Sequence, residues 1–535
     1  MKNPASLDPG ASAARMPAGI PYIVVNEFAE RFCYYGINAI LALYLVQSLH
    51  FGDAQSTTWV SLFKSGSYFF PLLGAVVSDV FWGKFRTVMT FSVAYCIGCI
   101  VLALAREPAM IALGLFLIAF GTGGIKPCVS TNVGDQFTSR NQHLIEKAFS
   151  WFYLSINAGS LISISLCPLL LRDYGPTAAF GMPAAMMFIA TIVFWFGRRR
   201  FAVVPPAGRA WLRDTFSRTG LATIARLLLI YAFVAFFWAL WDQSNGTTWS
   251  LQARSDLMDK DLGFGFTLLP AQVQLVNALL ILLMVPAFSY VVYPLVGRLC
   301  TVTPLRKIGA GLFITAASFL VIAWIESRIQ AGHVVSVWWQ ILAYVILTAG
   351  EVLVSITALE YSYKQAPLTM KSFIMALYLL SISAGNLFTA GVNHYMVRPL
   401  EATALQTGDT TWVTVRNAPA PIQVGQKIDF ENVVGVEVLD AGTAGPLDGT
   451  VLVQVVEEGT GRLQLMDAVT RKPLQTRGQW APDKARVSTY ALVGPDYFLF
   501  FSKVLGAVAV LFVLVAMMVR EAIYVRQAEA DPAAA

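Results

Sequence analysis

Ionisable and aromatic side chains are concentrated on one face of the first long apolar segment. At 100° per residue, six polar positions fall within an arc of about 140° on a helix. Charged side chains inside an apolar span are costly unless they face water or a partner, so we expect this face to line a cavity. The alternative is a polar patch between helices whose groups satisfy one another. The six residues are Glu27, Glu30, Arg31, Tyr34, Tyr35 and Asn38.

Each residue advances about 1.5 Å along a helix, so depth in the membrane can be estimated from residue number. By this estimate, two further charged residues in apolar segments lie at the depth of these acids. They are Lys126 and Glu360. Two cations and three acids within mutual reach would allow alternative pairings, which predicts a proton-sensitive switch. Glu351 lies about half a turn from Glu360 on an uninterrupted helix, so we assign Glu360, and not Glu351, to the cavity.

The composition places the chain in a membrane. Of its 535 residues, 56% are hydrophobic and 13% are charged, about half the charged fraction of ordinary soluble domains. This excludes a soluble enzyme, a disordered chain and a compact secreted domain. The net charge of +6 does not indicate nucleic-acid binding, because Lys and Arg lie mostly at the ends of apolar runs. The six cysteines lie in or beside apolar segments, which favours packing, and we expect no metal or cofactor.

Apolar runs long enough to cross a bilayer set the architecture. A span needs about 20 mostly apolar residues, and twelve segments meet this requirement, which predicts an all-α membrane protein with six helices in each half. The spans lie near 21–48, 57–80, 87–105, 108–130, 146–171, 177–197, 223–245, 270–296, 304–326, 336–365, 370–395 and 496–524.

Basic residues in the short loops predict the orientation. With the N-terminus inside, the cytoplasmic loops hold roughly three or four times as many Lys and Arg residues as the opposite loops. Both termini are therefore predicted to be cytoplasmic. We divide the helical part into a tail at 1–20, helices 1–6 at 21–197, a linker at 198–222, helices 7–11 at 223–399, and helix 12 with its tail at 496–535.

The segment 400–495 departs from the apolar pattern. It is polar and contains alternating runs at 411–416, 433–439 and 450–456. Alternation with a period of two, bounded by Gly, Pro and Asp, is typical of strands. We predict a small β-rich domain outside the membrane between helices 11 and 12. Its partner is unknown, and a stabilising or docking role is favoured over a functional one.

Several ordered motifs resemble the proton-coupled oligopeptide transporters (POT/PTR) of the major facilitator superfamily. Asn26–Gly36 is similar to their E-x-x-E-R-F-x-Y-Y-G motif. Three further segments agree, Gly121–Cys128, Phe152–Gly159 and Leu359–Pro367, and Gly74–Arg86 resembles the superfamily's helix 2–3 loop. The match covers both halves in order and omits the insert. The resemblance implies the twelve-helix fold of two six-helix bundles.

The resemblance also implies proton-driven import of di- and tripeptides by alternating access. By position, Arg31 and Lys126 would hold the peptide carboxylate, and Glu360, Asn157 and Asn277 would hold its amino terminus. Aromatic residues would line side-chain pockets, and acids with their partners would couple protons as the co-transported ion. The pocket residues are Tyr34, Tyr35, Tyr68, Trp238 and Tyr378. The proton-coupling group is Glu27, Glu30, Arg31, Lys126, Asp242 and Glu360.

One departure from the family concerns the outer gate. Asn38 stands where the family commonly has Arg, which removes the expected partner of the acid on helix 7, here Asp242. Lys64 lies at comparable depth in the outer half of helix 2. We hypothesise that Lys64 replaces this Arg; the alternative is a Lys that reaches to the membrane surface or a water-filled cavity. Tyr378 also replaces a family Trp.

Two other functions stay open. One is a transporter of the same fold for amino acids or another peptide-like solute; Lys126 and Glu360 disfavour nitrate, which has no amino pole. The other is a sensor that binds peptides without moving them. An enzyme is disfavoured because we find no nucleophile–base pair. We expect a monomer in the bacterial inner membrane, in contact with lipid and with no nucleic-acid partner.

Overall fold

The structure is a computed structural model of the chain, and it describes residues 16–518 with short gaps. Residues 1–15 of the predicted N-terminal tail, part of the linker, and residues 519–535 at the end of predicted helix 12 and its tail therefore lie outside the described residues. The gaps are 138–140, 142–143, 203–204, 207, 209–212, 214, 264, 366–370, 417, 419–420, 441–442, 458 and 482–484.

The described residues contain twelve helices that are long and apolar enough to cross a membrane, which confirms the predicted number. The first six are α1 Ile20–Leu49, α2 Asp53–Val76, α3 Lys84–Leu104, α4 Pro108–Asp135, α5 Ile145–Tyr174 and α6 Pro176–Phe196. The others are α7 Arg218–Ser244, α8 Leu275–Ala287, α9 Pro304–Gln330, α10 Val337–Glu351, α11 Lys371–Met396 and α12 Pro495–Met518. The end of the predicted linker is thus the first turn of α7.

Three helices continue through π-helical turns. α2 continues as Val77–Trp82, and α8 continues as Phe288–Val292 followed by Tyr293–Gly297. α10 continues as Val352–Ile356 and then as an α-helix at Thr357–Gln365. A π turn changes the angular phase of the residues beyond it, because it contains more residues per turn than an α-helix. Side-chain directions in the second half of α10 therefore do not follow from counting 100° per residue.

Local sequence signals begin several helices. Pro108, Pro176 and Pro304 occupy the first turns of α4, α6 and α9, where the missing N–H costs nothing. The hydroxyl of Thr303 accepts a hydrogen bond from the Arg306 N–H at the start of α9. Gly83, with φ of 74°, turns the chain between the end of α2 and α3. These signals explain why the helix starts are close to those predicted.

The chain folds into two compact units, each built from separate segments. The first contains Met1–Ile37, Gly66–Ala225 and Ala366–Leu380. The second contains Asn38–Ser65, Arg226–Gln365 and Ser381–Ala535. The end of α1 and the start of α2 therefore belong to the same unit as most of the second sequence half and the β-rich insert.

Glycines allow close helix packing in the first unit. A Cβ on Gly74 would lie 2.1 Å from the carbonyl oxygen of Gly123, so the backbones of α2 and α4 are in direct contact there. A Cβ on Gly98 of α3 would lie 2.8 Å from the carbonyl oxygen of Gly114 on α4. Small residues at such positions are the usual means of close packing between membrane helices.

We expect Gly74→Ala to lower the thermal stability of the detergent-solubilised protein, since the added methyl group overlaps backbone atoms that cannot move freely. Overpacking of this kind typically costs about 1–3 kcal/mol. The matched control is Gly134→Ala on α4, where a Cβ would meet no atom within 4 Å. Unfolding followed by tryptophan fluorescence would show a lower apparent Tm for Gly74→Ala only. Equal Tm values for the two variants would contradict this packing.

The predicted β-rich insert is confirmed, and it begins directly after α11. Its strands are β3 Val397–Gln406, β4 Trp412–Arg416, β5 Lys427–Glu431, β6 Val434–Asp440, β7 Thr443–Pro446, β8 Gly449–Glu457, β9 Arg462–Asp467, β10 Thr476–Ala481 and β11 Arg486–Tyr490. Six of them close into a barrel in the order β11-β3-β4-β9-β8-β5, and three form a second sheet in the order β10-β6-β7. Two short strands elsewhere, β1 Met258–Asp259 and β2 Val335–Ser336, pair in parallel.

The barrel encloses its own apolar core, which explains how a polar segment folds beside membrane helices. On β5, Ile428 and Phe430 are fully buried in this core. Val413 and Val415 of β4 face the same interior. Because side chains alternate along a strand, the residues between them project from the outer surface of the barrel. The alternating sequence pattern thus predicted correctly that the insert is β-rich, whereas its closure into a barrel was not predicted.

Candidate functional site

One buried ion-pair cluster lies on α1 in the first unit. The Nε atom of Arg31 lies 2.6 Å from Oε1 of Glu27 and 3.1 Å from Oε2 of Glu30. Glu27 is one turn before Arg31, so helical geometry brings these two side chains together. Both acids are almost fully buried. One guanidinium therefore serves two carboxylates in a medium where an uncompensated charge is costly.

Lys126 of α4, in the same unit, contacts the aromatic rings of two tyrosines. Its Nζ atom lies 3.9 Å from the ring centre of Tyr34 and 4.0 Å from that of Tyr68. The two rings meet edge to face, and Tyr35 packs edge to face against Tyr34. Electron-rich ring faces stabilise a cation without neutralising it. The structure thus brings Lys126 together with Tyr34, Tyr35 and Tyr68, which were predicted as pocket residues, and Arg31 lies one turn before Tyr35 on α1.

In the second unit, Asn277 of α8 contacts Glu351 of α10. Its Nδ2 atom donates to Oε2 of Glu351 at 2.8 Å and to Oγ1 of Thr348 at 2.9 Å. The sequence interpretation grouped Asn277 with Glu360 and left Glu351 out. That interpretation assumed an uninterrupted α-helix, and this premise is wrong because the π turn Val352–Ile356 separates the two acids. Glu360 is exposed on the segment that follows the π turn.

Lys64 and Asp242 are in contact within the second unit. The Nζ atom of Lys64 lies 3.5 Å from Oδ1 of Asp242 and donates to the backbone carbonyls of Asp242 and Asn245 at 2.8 and 2.7 Å. Lys64 is 1% exposed, which contradicts a side chain that reaches the membrane surface. The Asn386 amide donates to the other carboxylate oxygen of Asp242. Asn38 donates to the Asn245 carbonyl at 3.4 Å, so Asn38 and Lys64 share this acceptor.

The remaining predicted residues divide between the units. Asn157 of α5 lies in the first unit and donates to the carbonyl of Tyr153 on its own helix at 2.8 Å. Tyr378 of α11 is buried in the first unit. Trp238 of α7 lies in the second unit and packs edge to face against Trp241, with ring centres 5.2 Å apart.

Sequence reasoning missed two polar groups. Asn386 on α11 and Glu351 on α10 were visible only as polar residues in apolar helices. A network around Asp53 was also missed, in which Lys427 and Arg254 contact its carboxylate at 2.6 and 3.3 Å. These partners are far apart in the chain, and no spacing rule relates them. Among the described residues, no group of His, Cys, Asp and Glu side chains could hold a metal ion.

Buried charges within twelve apolar helices define a polytopic membrane protein with a polar interior, the arrangement expected of a solute transporter. Comparison of the sequence with protein families gives a match to the POT family (PTR2) over residues 85–224 and 210–413. The chain belongs to the POT family, a family of membrane transporters and not of enzymes.

Individual relatives agree with this assignment. Solute carrier family 15 member 2 of Danio rerio is 38% identical over 365 residues, which cover 59% of this chain and 50% of that protein. The chain spans about half the length of the animal relatives it matches. The crystal structure of the POT family transporter PepTSo is 35% identical, has a TM-score of 0.66 and matches over 71% of this chain and 90% of that one.

A second crystal structure matches over nearly the whole chain, including the insert region. It is described as an auto-inhibited POT family peptide transporter, and it is 28% identical with a TM-score of 0.71. The match covers 96% of this chain and 99% of that one. Together with the twelve helices, these likenesses confirm the predicted major facilitator fold and the family.

Proposed function

We propose that the chain is a proton-coupled symporter that imports di- and tripeptides by alternating access. The supporting observation is the sharing of Arg31 between Glu27 and Glu30 at 2.6 and 3.1 Å. Protonation of either acid removes one of the two counter-charges of the guanidinium. Arg31 can then bind the carboxylate of a peptide without leaving an unpaired buried charge. A proton and a peptide therefore favour each other's binding, which is the basis of symport.

The peptide would be held by its two charged ends. In this proposal Arg31 and Lys126 bind the carboxylate, and Glu360 binds the amino terminus with help from Asn157 and Asn277. A zwitterion requires a cationic and an anionic pole, and recognition of the backbone leaves the side chains free to vary. The proposed side-chain pockets are formed by Tyr34, Tyr35, Tyr68, Trp238 and Tyr378. Asp242 would belong to the proton-coupling network and, with Lys64 and Asn38, to the outer gate.

The proposed setting is the inner membrane of a bacterium. An excess of basic residues in the loops on one side supports cytoplasmic termini, and this orientation places the β-rich insert outside the cytoplasm. We propose that the protein works as a monomer with protons as the only coupling ion.

Uptake into proteoliposomes tests the function. We expect labelled dialanine to accumulate inside only when the outside is more acidic than the lumen. Single amino acids should not compete with it, since they lack the separation between carboxylate and amino group. Peptide binding without accumulation would favour a sensor, and accumulation of alanine in place of dialanine would favour the amino-acid transporter.

Glu351 and Glu360 provide a matched pair of substitutions. We expect Glu360→Gln to lower gradient-driven uptake at least about tenfold, since the loss of a charge-assisted hydrogen bond to an amine costs about 1.5–3 kcal/mol. Glu351→Gln keeps an oxygen that accepts from Asn277, so its uptake should stay within about threefold of the unmodified protein. Initial rates measured side by side decide the question. The reverse order would assign the amino terminus to Glu351 and Asn277.

A further inference from the structure

The β-barrel insert contacts the turn that joins α1 to α2 through ion pairs and hydrogen bonds. Asp53, the first residue of α2, places its two carboxylate oxygens 2.6 Å from Nζ of Lys427 on β5 and 3.3 Å from the Arg254 guanidinium. Lys427 comes from the insert, and Arg254 lies just after the short helix Thr248–Gln252 that follows α7. The start of α2 is thus tied by charge to two segments of the second sequence half.

Backbone hydrogen bonds reinforce this contact. The N–H of Asp53 donates to Oγ1 of Thr450 at 2.8 Å, and the N–H of Ala54 donates to the hydroxyl of Tyr490 at 3.3 Å. Both hydroxyls donate in turn to one carboxyl group, that of Asp429: Thr450 to Oδ1 at 2.6 Å, and Tyr490 to Oδ2. Two hydrogen-bonded chains therefore run from the start of α2 through hydroxyl groups to Asp429.

The barrel presents these groups as a docking face formed by Lys427, Asp429, Thr450 and Tyr490. Strand alternation directs them outward, since their neighbours on β5 fill the barrel core. Asp429 pairs directly with Thr450 on β8. The turn lies very close to this face, because a Cβ on Gly52 would fall 1.9 Å from Oδ2 of Asp429. Only glycine leaves room for the carboxyl group there.

Asp429 is the group on this face whose pKa lies between pH 5 and pH 7.5. Burial raises the pKa of Asp429 to about 6; hydrogen bonds from Thr450 and Tyr490 oppose this rise, the charge of Asp53 adds to it, and Lys427 opposes it. A carboxyl group released into water has a pKa near 3.9. The docked state therefore binds a proton more readily than the released state. The proton-linked part of the stability of the docked state increases as the pH falls from 6 towards 3.9 and is lost as the pH rises above 6.

We propose that the insert is a latch on the turn between α1 and α2 and that acid strengthens it through Asp429. The turn belongs to the first sequence half, whereas the barrel is anchored between α11 and α12. Release of the latch would be needed for the outer ends of α1 and α2 to move away from the second half. This consequence for transport depends on the proposed function, but the latch itself does not.

Other charged groups surround Asp429. Substitution of Asp429 alone distinguishes its contribution to the pH dependence from theirs. A groove of about 870 Å³ contains Asp429 together with ionisable residues of α11 and of three barrel strands, which gives protons a path from solvent. Two histidines are among the neighbouring groups, so substitution of Asp429 alone must remove the pH dependence. The charged and titratable groups near this face are His50, Asp53, Arg254, Glu326, His394, Tyr395, Arg398, Lys427, Glu431, Asp448, Arg471, Arg486, Tyr490 and Tyr497.

Hydrogen–deuterium exchange of the full-length protein in lipid nanodiscs tests the latch. The readout is the exchange rate of the peptide fragment that contains the Asp53 and Ala54 amides, corrected for the chemical effect of pH. We expect exchange to be about tenfold slower at pH 5.0 than at pH 7.5, the factor that a pKa shift from 3.9 to about 6 gives. Asp429→Asn should show the slow rate at both pH values, since the amide is neutral.

Two further variants complete the experiment. Glu437→Gln removes a carboxylate of the insert that pairs with Arg477, and it should keep the tenfold pH effect. The double variant Thr450→Val/Tyr490→Phe removes both hydroxyl links and should exchange rapidly at both pH values. Equal rates at the two pH values in the unmodified protein would overturn the proposal. So would a pH effect that persists in Asp429→Asn, which would assign the titration to a histidine.

The exchange measurement does not depend on transport, so a failure of the proposed function leaves it valid. If the protein does carry peptides, Thr450→Val/Tyr490→Phe should accelerate dialanine exchange at pH 5.0 and have little effect at pH 7.5. If dialanine exchange at pH 5.0 is unchanged in this variant although its amides have lost protection from hydrogen exchange, the latch does not restrain opening of the transporter.

Discussion

Replacement of Arg31 by alanine should lower gradient-driven peptide uptake at least about 100-fold. Arg31 is the cation shared by the buried acids Glu27 and Glu30. Its removal leaves two buried carboxylates without their guanidinium and deprives the peptide carboxylate of its main partner. Breaking a buried ion pair costs about 3–5 kcal/mol, and each 1.4 kcal/mol corresponds to a factor of about ten.

Two variants make this prediction specific. Arg31→Lys keeps the charge but loses the guanidinium Nε that contacts both acids, so we expect an intermediate rate. Arg172→Ala is the matched control, because Arg172 pairs with its neighbour Asp173 at a largely exposed site on α5; its uptake should be unchanged. Size-exclusion profiles would show that each variant is folded. Near-normal uptake by Arg31→Ala would contradict the proposed role.

The second large effect concerns Lys64 and Asp242. Lys64→Ala leaves the buried Asp242 carboxylate with Asn386 as its remaining hydrogen-bond donor among the side chains described above, and Asp242→Ala leaves a buried ammonium on two backbone carbonyls. Each single substitution should lower uptake about tenfold or more, since each leaves one charge poorly compensated. The double substitution should cost much less than the sum of the two.

A double-mutant cycle on initial uptake rates measures this coupling. We expect an interaction of about 1–3 kcal/mol, within the range found for contacting groups. Lys503→Ala is the control for loss of a lysine within a span, because Lys503 of α12 is exposed, and it should leave transport close to normal. Fully additive effects of Lys64→Ala and Asp242→Ala would show that the contact does not act as a gate.

Much of the architecture could be predicted because it depends on local patterns. Length and hydropathy determine which segments span a bilayer, and alternation within 400–495 indicated strands before any contact was known. The Lys64–Asp242 contact was also predictable. Two opposite charges at similar depth in adjoining apolar helices have few other ways to be compensated. The cluster of Arg31 with Glu27 and Glu30 follows from spacing along a single helix.

The pairing of Asn277 with Glu351 could not be predicted because the π turn in α10 is not encoded by a simple periodic signal. The change of angular phase at this turn moves the residues beyond it to a different face of the helix. The position of Glu360 relative to this pair therefore depends on tertiary packing. Polar residues in apolar helices, such as Asn386, indicate that a partner exists but do not identify it.

The docking of the insert was beyond sequence reasoning for a different reason. Asp53 and Lys427 are separated by most of the chain, and each alone is an ordinary charged residue near the end of an element. The insert's strands could be predicted from alternation. The face that carries Asp429 could be identified as a docking face only from its contact with the turn after α1. Interfaces between distant segments depend on shape, which periodicity does not report.

Peptide-driven proton movement tests the central claim most directly. Proteoliposomes with a pH-sensitive dye inside would start at equal pH on both sides, with the membrane voltage clamped by potassium and valinomycin. Addition of dialanine outside should acidify the lumen, because a symporter brings a proton with each peptide, and Arg31→Ala vesicles should show no change. Entry of dialanine without acidification of the lumen would contradict proton-coupled symport.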